Sequence, residues 1–197
     1  MPRIHLRDIS PKVVAGWGQA FADLPDVFMS QGNILEQAAD AIVSPANSFG
    51  FMDGGIDLLY ARRFGWQLET ELRDLLSVHH YGELPVGQAV VLATGDASIP
   101  FLVSAPTMRI PTSIADTVNV YLAFRAALIA VLRHNAAGHP PIESLLVPGM
   151  GTGIGALAPE LAARQMRAAY DAVLIRKGDG KHRSARMILS EHHDLLA

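Results

Sequence analysis

The chain contains no cysteine. Disulfides, thiolate zinc centres and thiol nucleophiles are therefore excluded. Charge is scarce too: 18% of the 197 residues are Asp, Glu, Lys or Arg, and the net charge is −3. That balance gives no intrinsic electrostatic footprint for nucleic acid. Apolar runs are too short and interrupted to span a bilayer, so no membrane partner is expected. Met1-Pro2-Arg3-Ile4-His5-Leu6 has no long apolar core of the kind a secretory signal needs. A soluble, cytoplasmic protein is the expectation. There is no internal repeat, no low-complexity segment and no composition shift that would mark a linker. Half the residues are apolar, and the length suits a single domain over residues 1–197 with a sizeable core.

Short apolar strands alternate with helical spacing along the chain. Strands are expected at Ile4–Leu6, Val27–Met29, Ala41–Val43, Ala89–Leu92, Phe101–Ala105 and Ser144–Val147. Ser10-Pro11 reads as a helix start, with Val13, Val14, Trp17, Phe21 and Leu24 recurring at helical intervals behind it. Further helices are expected over 56–64, 66–78, 117–137 and 159–176, with a polar, basic surface loop over 176–186 and a short closing element near 187–189. Fully apolar strands alternating with helices argue for a three-layer α/β/α domain. Trp17, Phe21, Phe124 and Met166 are read as helix faces packing on the sheet.

The most informative stretch is Leu146-Val147-Pro148-Gly149-Met150-Gly151-Thr152-Gly153-Ile154-Gly155. A buried strand runs into glycines at alternate positions, and a helix follows. Such a loop turns backbone N–H groups toward an anion, and the helix adds its positive end. The plain rival is a tight strand-to-helix turn with no ligand. Gly151, Gly153 and Ala156 also fit the permissive GxGxxG/A pattern. That pattern normally opens the first βαβ unit and is followed by an acidic ribose ligand, whereas here only about forty residues follow and Asp171 falls within a helix. No Lys-Ser/Thr follows the glycines, so a nucleotide-hydrolysing P-loop is excluded. A second polar loop, Ser44 to Asp57, also leaves a buried strand, and two such strand-end loops can clamp one ligand.

Taken together and in order, these segments resemble the macro domains, a family that binds ADP-ribose. Gln31-Gly32-Asn33-Ile34 is similar to the family's Gly-Asp-Ile segment near the adenine. Ala41 to Ser48 resembles its strand and Asn-Ala-Ala-Asn loop, and Gly54-Gly55-Ile56-Asp57 resembles the Gly-Gly-Val-Asp of the MacroD-type hydrolases. Ala105 to Arg109 and Pro148 to Gly153 fit the third strand end and the diphosphate loop.

The resemblance implies a macro-type fold with a mixed central sheet, and ADP-ribose or an ADP-ribosylated protein or nucleic-acid acceptor as partner. It also implies roles. Asn33 and Ile34 would meet the adenine; Ala46, Ser48, Gly54, Gly55 and Ile56 would line the distal site. Gly149, Gly151, Thr152, Gly153, Ile154 and Gly155 would hold the diphosphate. Asn47 would hydrogen-bond the distal ribose. Asp57 would orient or deprotonate a water aimed at C1″, remaining ionised at a helix start. The scheme needs no metal or other cofactor. Hydrolysis of ADP-ribose from a modified acceptor is the leading expectation; a non-catalytic reader, ADP-ribose-1″-phosphate processing, and a structural or interaction domain that has lost the ligand are the others.

Departures from the family pattern are specific. Asn33 stands where the family has an aspartate, and an amide accepts from the adenine amine without the charge. Ser44 replaces the loop's first Asn, and Gly155-Ala156 stand where an aromatic often packs on the ribose, a part Phe49 or Phe51 would take. Asp53 is a second carboxylate candidate. Bland readings accompany the sharp ones: Asn47 as a turn cap, Asp57 as a helix cap. His79-His80 and His192-His193 lack a metal-site pattern, and Glu191-His192-His193-Asp194 reads as a solvated tail.

Overall fold

The computed structural model describes residues 2–176 and 183–197. Six strands, β1 (Arg3–Asp8), β2 (Val27–Gln31), β3 (Ala41–Ser44), β4 (Val90–Ala93), β5 (Phe101–Ser104) and β6 (Ser144–Val147), form one sheet in the order β2-β1-β6-β3-β5-β4. All neighbours are parallel except β4, which pairs antiparallel with β5 at the edge. The sheet is thus mixed.

Its helices are α1 (Pro11–Ala20), α2 (Gly55–Phe64), α3 (Gln67–His80), α4 (Asn119–Ala136), α5 (Pro159–Tyr170) and α6 (Ala185–Asp194). The strand pleat divides the core into two layers. Ala41 and Val43 of β3 pack with Trp17 and Phe21 of the α1 region, Phe124 of α4 and Met166 of α5. Ile42, between them, packs on the other face with Tyr60 of α2 and Leu72 of α3. This is the three-layer α/β/α arrangement. Phe21 is fully buried, worth about 1.5–3 kcal/mol over an exposed side chain.

Element ends differ from the periodicity in instructive places. The helix expected to run to residue 176 leaves α-geometry at Tyr170, and a π-helical turn, Asp171–Ile175, follows. The segment around 187–194 is the helix α6, not a short element and a solvated tail. It has no buried residue, and Glu191 within it meets Arg176 at 3.3 Å and Arg183 at 2.8 Å. Lys177, Lys181 and His182 of the expected basic loop lie outside the described residues. Among the described residues no helix is long and apolar enough to cross a membrane.

The layout places the site. β2, β1, β6 and β3 are consecutive and parallel, so their C-terminal ends share one edge. At about 4.8 Å per strand, those ends span roughly 14 Å.

Candidate functional site

A cleft of about 670 Å³ lies along that edge. Such a volume falls in the range of roughly 300–1,000 Å³ usual for small-molecule sites. Asn33 and Ile34 line it beyond β2, Arg7 and Asp8 at the end of β1, the glycine loop beyond β6, and Ala46, Asn47 and Asp57 beyond β3. All the residues assigned from the sequence to the adenine, distal and diphosphate sites line it except Ser48, which is buried and donates its backbone N–H to Met108 and Arg109 carbonyls. Phe51 and Asp53 line the cleft; Phe49 does not, and its ring lies 5.0 Å from the Arg109 guanidinium carbon.

The glycines of the β6–α5 loop have different jobs. Gly151 sits at φ +72°, and a Cβ there would fall 2.6 Å from Val120 Cγ2. A Cβ on Gly155 would fall 2.5 Å from the Gly151 carbonyl oxygen. Gly149 is hemmed in by Asp8, Thr152 and Val13. These three are required by packing. A Cβ on Gly153 would meet nothing within 4 Å. Among the described residues, the backbone N–H groups of Gly151, Thr152, Gly153, Ile154 and Gly155 donate to no protein acceptor, while the Gly151, Gly153 and Gly155 carbonyls accept from Leu157, Ala156 and Ile114. The loop therefore holds its shape through its carbonyls and keeps its donors free beside the cleft. That arrangement suits an anion.

Asp57 stands in the first turn of α2 and is 7% exposed. It does not reach back to cap the helix. Its Oδ1 accepts a 2.5 Å hydrogen bond from Ser44 Oγ at the end of β3. Burial pushes its carboxyl up to about 7, against the opposing pull of the Ser44 hydroxyl. Burial thus works against the ionised carboxylate expected at a helix start and leaves the group poised near neutrality. Tyr60, fully buried nearby, donates to the Val43 carbonyl, and burial together with Asp57 and Asp8 raises its phenol.

Asn47 organises its own loop. Its Nδ2 donates to the Phe51 carbonyl at 2.8 Å, and its Oδ1 accepts from the N–H groups of Phe49 (3.0 Å) and Phe51 (3.3 Å). At the other end of the cleft, Asn33 Oδ1 accepts from Leu35 N at 3.1 Å and caps the 3₁₀ turn Ile34–Glu36.

Sequence reasoning missed the β1 contribution. Asp8 Oδ1 accepts from Ser10 N (2.8 Å) and its Oδ2 from Gly149 N (3.0 Å), tying the start of α1 to the glycine loop. Arg7 donates through Nε to the Asn33 carbonyl and through Nη1 to Ser30 Oγ. The available signal was that Arg7-Asp8 ends a strand immediately before the Ser10-Pro11 helix start. As for metals, the described residues contain no group of three or more His, Asp or Glu placed to hold one.

Comparison with known proteins agrees with this geometry. The sequence pattern of the Macro domain family matches residues 43–166. An uncharacterized protein of Aquifex aeolicus is 36% identical over 141 residues, 72% of this chain and 78% of that protein. A macro domain-containing protein of Streptomyces coelicolor is 41% identical over a shorter stretch of 70 residues, 36% of this chain and 41% of its own. Among solved structures, the macrodomain of Mycobacterium tuberculosis DarG superposes with a TM-score of 0.59 at 24% identity, covering 73% of this chain and 89% of that one. A mutant Oceanobacillus iheyensis macrodomain solved with ADPR gives 0.57 at 17% identity, covering 70% and 73%. Sheet, cleft and matched sequence together make this chain a member of the macro domain family.

Proposed function

We propose that residues 1–197 form one macro domain that binds ADP-ribose and hydrolyses it from a modified acceptor. The carrying observation is one cleft with free backbone donors at its centre and a buried carboxylate, Asp57, toward one end. The diphosphate lies on Gly151–Gly155, the adenosine toward Asn33 and Arg7, and the distal ribose toward Asn47 and Asp57. The solved relatives named with ADPR and with ADP-ribose support the ligand class.

Chemically, water attacks C1″, the bond from C1″ to the acceptor breaks, and the acceptor leaves with its electron pair and gains a proton. Ser44 holds Oδ1 of Asp57, and Oδ2 takes the proton of the attacking water. A group poised near 7 exchanges protons readily in both directions at neutral pH. Binding both ends of the ligand fixes C1″ for attack.

A second reading is a non-catalytic reader, favoured by the Asn47 amide being committed to its own loop. Calorimetry with ADP-ribose, followed by single-turnover release of ADP-ribose from a panel of ester, O-glycosidic, N-glycosidic and 1″-phosphate substrates, decides between them. Binding with release that Asp57→Asn abolishes establishes the hydrolase. Binding without release from any linkage establishes the reader. No heat and no thermal shift at millimolar ligand sinks both.

A further inference from the structure

Among the described residues, Ser104 Oγ is the buried side-chain polar atom left without a hydrogen-bond partner. Ser104 ends β5 and is 1% exposed. A hydroxyl shut away from water and unpaired is unfavourable, and native proteins keep few of them. Its position in the sheet places it beside the reacting end of the cleft.

β3 and β5 run parallel, with Ser44 paired to Ser104 and Ile42 to Leu102. Side chains alternate across a sheet. Ile42 and Leu102 belong to the layer that holds Tyr60 of α2 and Leu72 of α3, while Val43 and Val103 belong to the other. Ser44 and Ser104 therefore leave the sheet on one side, the side from which α2 brings Asp57. Ala105 N donates to the Ser44 carbonyl at 2.9 Å and pins the two strand ends in that register. On its other flank Ser104 pairs with Val90 of β4, whose side chain offers no acceptor.

Ser44 Oγ has one hydrogen, and it goes to Asp57 Oδ1. Its lone pairs remain able to accept. Neighbouring strands stand about 4.8 Å apart, a gap that two serine hydroxyls close by rotating about χ1. From this we infer that Ser104 is a positioning residue of the site: its hydroxyl turns onto Ser44 Oγ and completes a chain, Ser104 to Ser44 to Asp57, in which each hydrogen points toward the carboxylate. A hydroxyl that accepts one bond donates the next more strongly, and Ser44 is held in the rotamer that donates. The chain favours the ionised carboxylate and opposes the burial that raises it. The other ionisable groups around Asp57 have their own places. Tyr60 of α2 donates to the Val43 carbonyl, Asp8 and Asp53 line the same cleft, and Glu69 of α3 accepts from Met52 N. None of them is bonded to either serine. That the carboxylate serves hydrolysis rests on the proposed function; the chain itself does not.

The test follows the Asp57 carboxyl directly, by carbon-13 NMR titration of the full chain labelled at aspartate, with Asp57→Asn assigning the signal. In Ser104→Ala the Asp57 midpoint moves to higher pH, whereas loss of a merely structural hydroxyl leaves it in place. Adding Ser104→Ala to Ser44→Ala moves the midpoint no further, since the route through Ser44 is already gone. Single-turnover release of ADP-ribose at about pH 6 slows roughly twofold to tenfold in Ser104→Ala, the worth of one net hydrogen bond, and meets the wild-type plateau at high pH. A midpoint unmoved in Ser104→Ala, or moved equally when Ser44 is absent, overturns the inference whatever the activity. A midpoint that moves in a protein releasing ADP-ribose from no linkage upholds the chain and overturns the hydrolase reading instead.

Discussion

Ser44 Oγ donates to Oδ1 of Asp57 across 2.5 Å and joins the end of β3 to the first turn of α2. The bond stabilises the charged form of a carboxyl that burial has raised to about 7. Ser44→Ala removes that support, and the Asp57 carboxyl rises further. With Asp57 acting as base, the single-turnover rate of the wild type climbs with pH through about 7 and then levels. In Ser44→Ala the same profile is displaced to higher pH. A profile that does not move means that Ser44 does not tune the reacting carboxylate.

The raised carboxyl also makes a prediction about stability. The folded chain binds this proton more tightly than the unfolded chain does, where the carboxyl returns to about 3.8. Between about pH 4 and pH 7 the folded state therefore holds the extra proton, and stability falls as pH rises across that window. The contribution lost is on the order of 4 kcal/mol. Asp57→Asn keeps an acceptor for Ser44 and cannot ionise. Denaturant melts should find it more stable than the wild type at pH 8 and equal to it near pH 4, with hydrolysis abolished throughout.

How much of this was legible beforehand depends on how local each signal is. The β6 strand and its glycine loop are contiguous, and so is the Ala41–Ser44 strand with its polar continuation, so both sides of the cleft could be read directly. The Ser44–Asp57 bond could not: it closes over the whole intervening loop, and its effect on Asp57 depends on burial. Arg7 and Asp8 were missed because their place depends on β1 lying between β2 and β6, a pairing that no local pattern encodes. The helix α6 buries no residue, so it carries no apolar stripe matched to a core.

Two glycines separate shape from binding. Gly151→Ala places a methyl 2.6 Å from Val120 in a backbone at φ +72°, costing about 1–3 kcal/mol and lowering the melting temperature. Gly153→Val meets no atom within 4 Å of its Cβ and leaves the melting temperature unchanged. On the proposed placement of the diphosphate its side chain stands in the ligand's path, and affinity for ADP-ribose falls by about tenfold or more. Paired thermal melts and titrations check both halves.

Asn47 holds its loop through the Phe49 and Phe51 backbone. Asn47→Ala releases these bonds and costs about 1–2 kcal/mol. Limited proteolysis then cuts within 47–55 faster than in the wild type, and hydrolysis slows. Asn47→Asp retains the acceptor for both N–H groups and restores protection more than it restores rate, since the donor to the Phe51 carbonyl is gone. Unchanged proteolysis in Asn47→Ala would show that the side chain does not hold the loop.

Asp8 supplies the opposite contrast to Gly153. Its carboxylate is the only side chain tying the glycine loop to β1 through Gly149 N among the described residues, and the same group accepts from Ser10 N before α1. Asp8→Ala leaves both N–H groups without that partner, at about 1–3 kcal/mol for each donor that water does not reach. The loop then loses the register that aims its free N–H groups, so melting temperature and ADP-ribose affinity fall together. Asp8→Asn still accepts at one oxygen, but its amide N–H groups oppose the second backbone donor, and it recovers only part of either loss. Affinity that falls in Asp8→Ala with no change in melting temperature would place Asp8 on the ligand itself and not behind the loop.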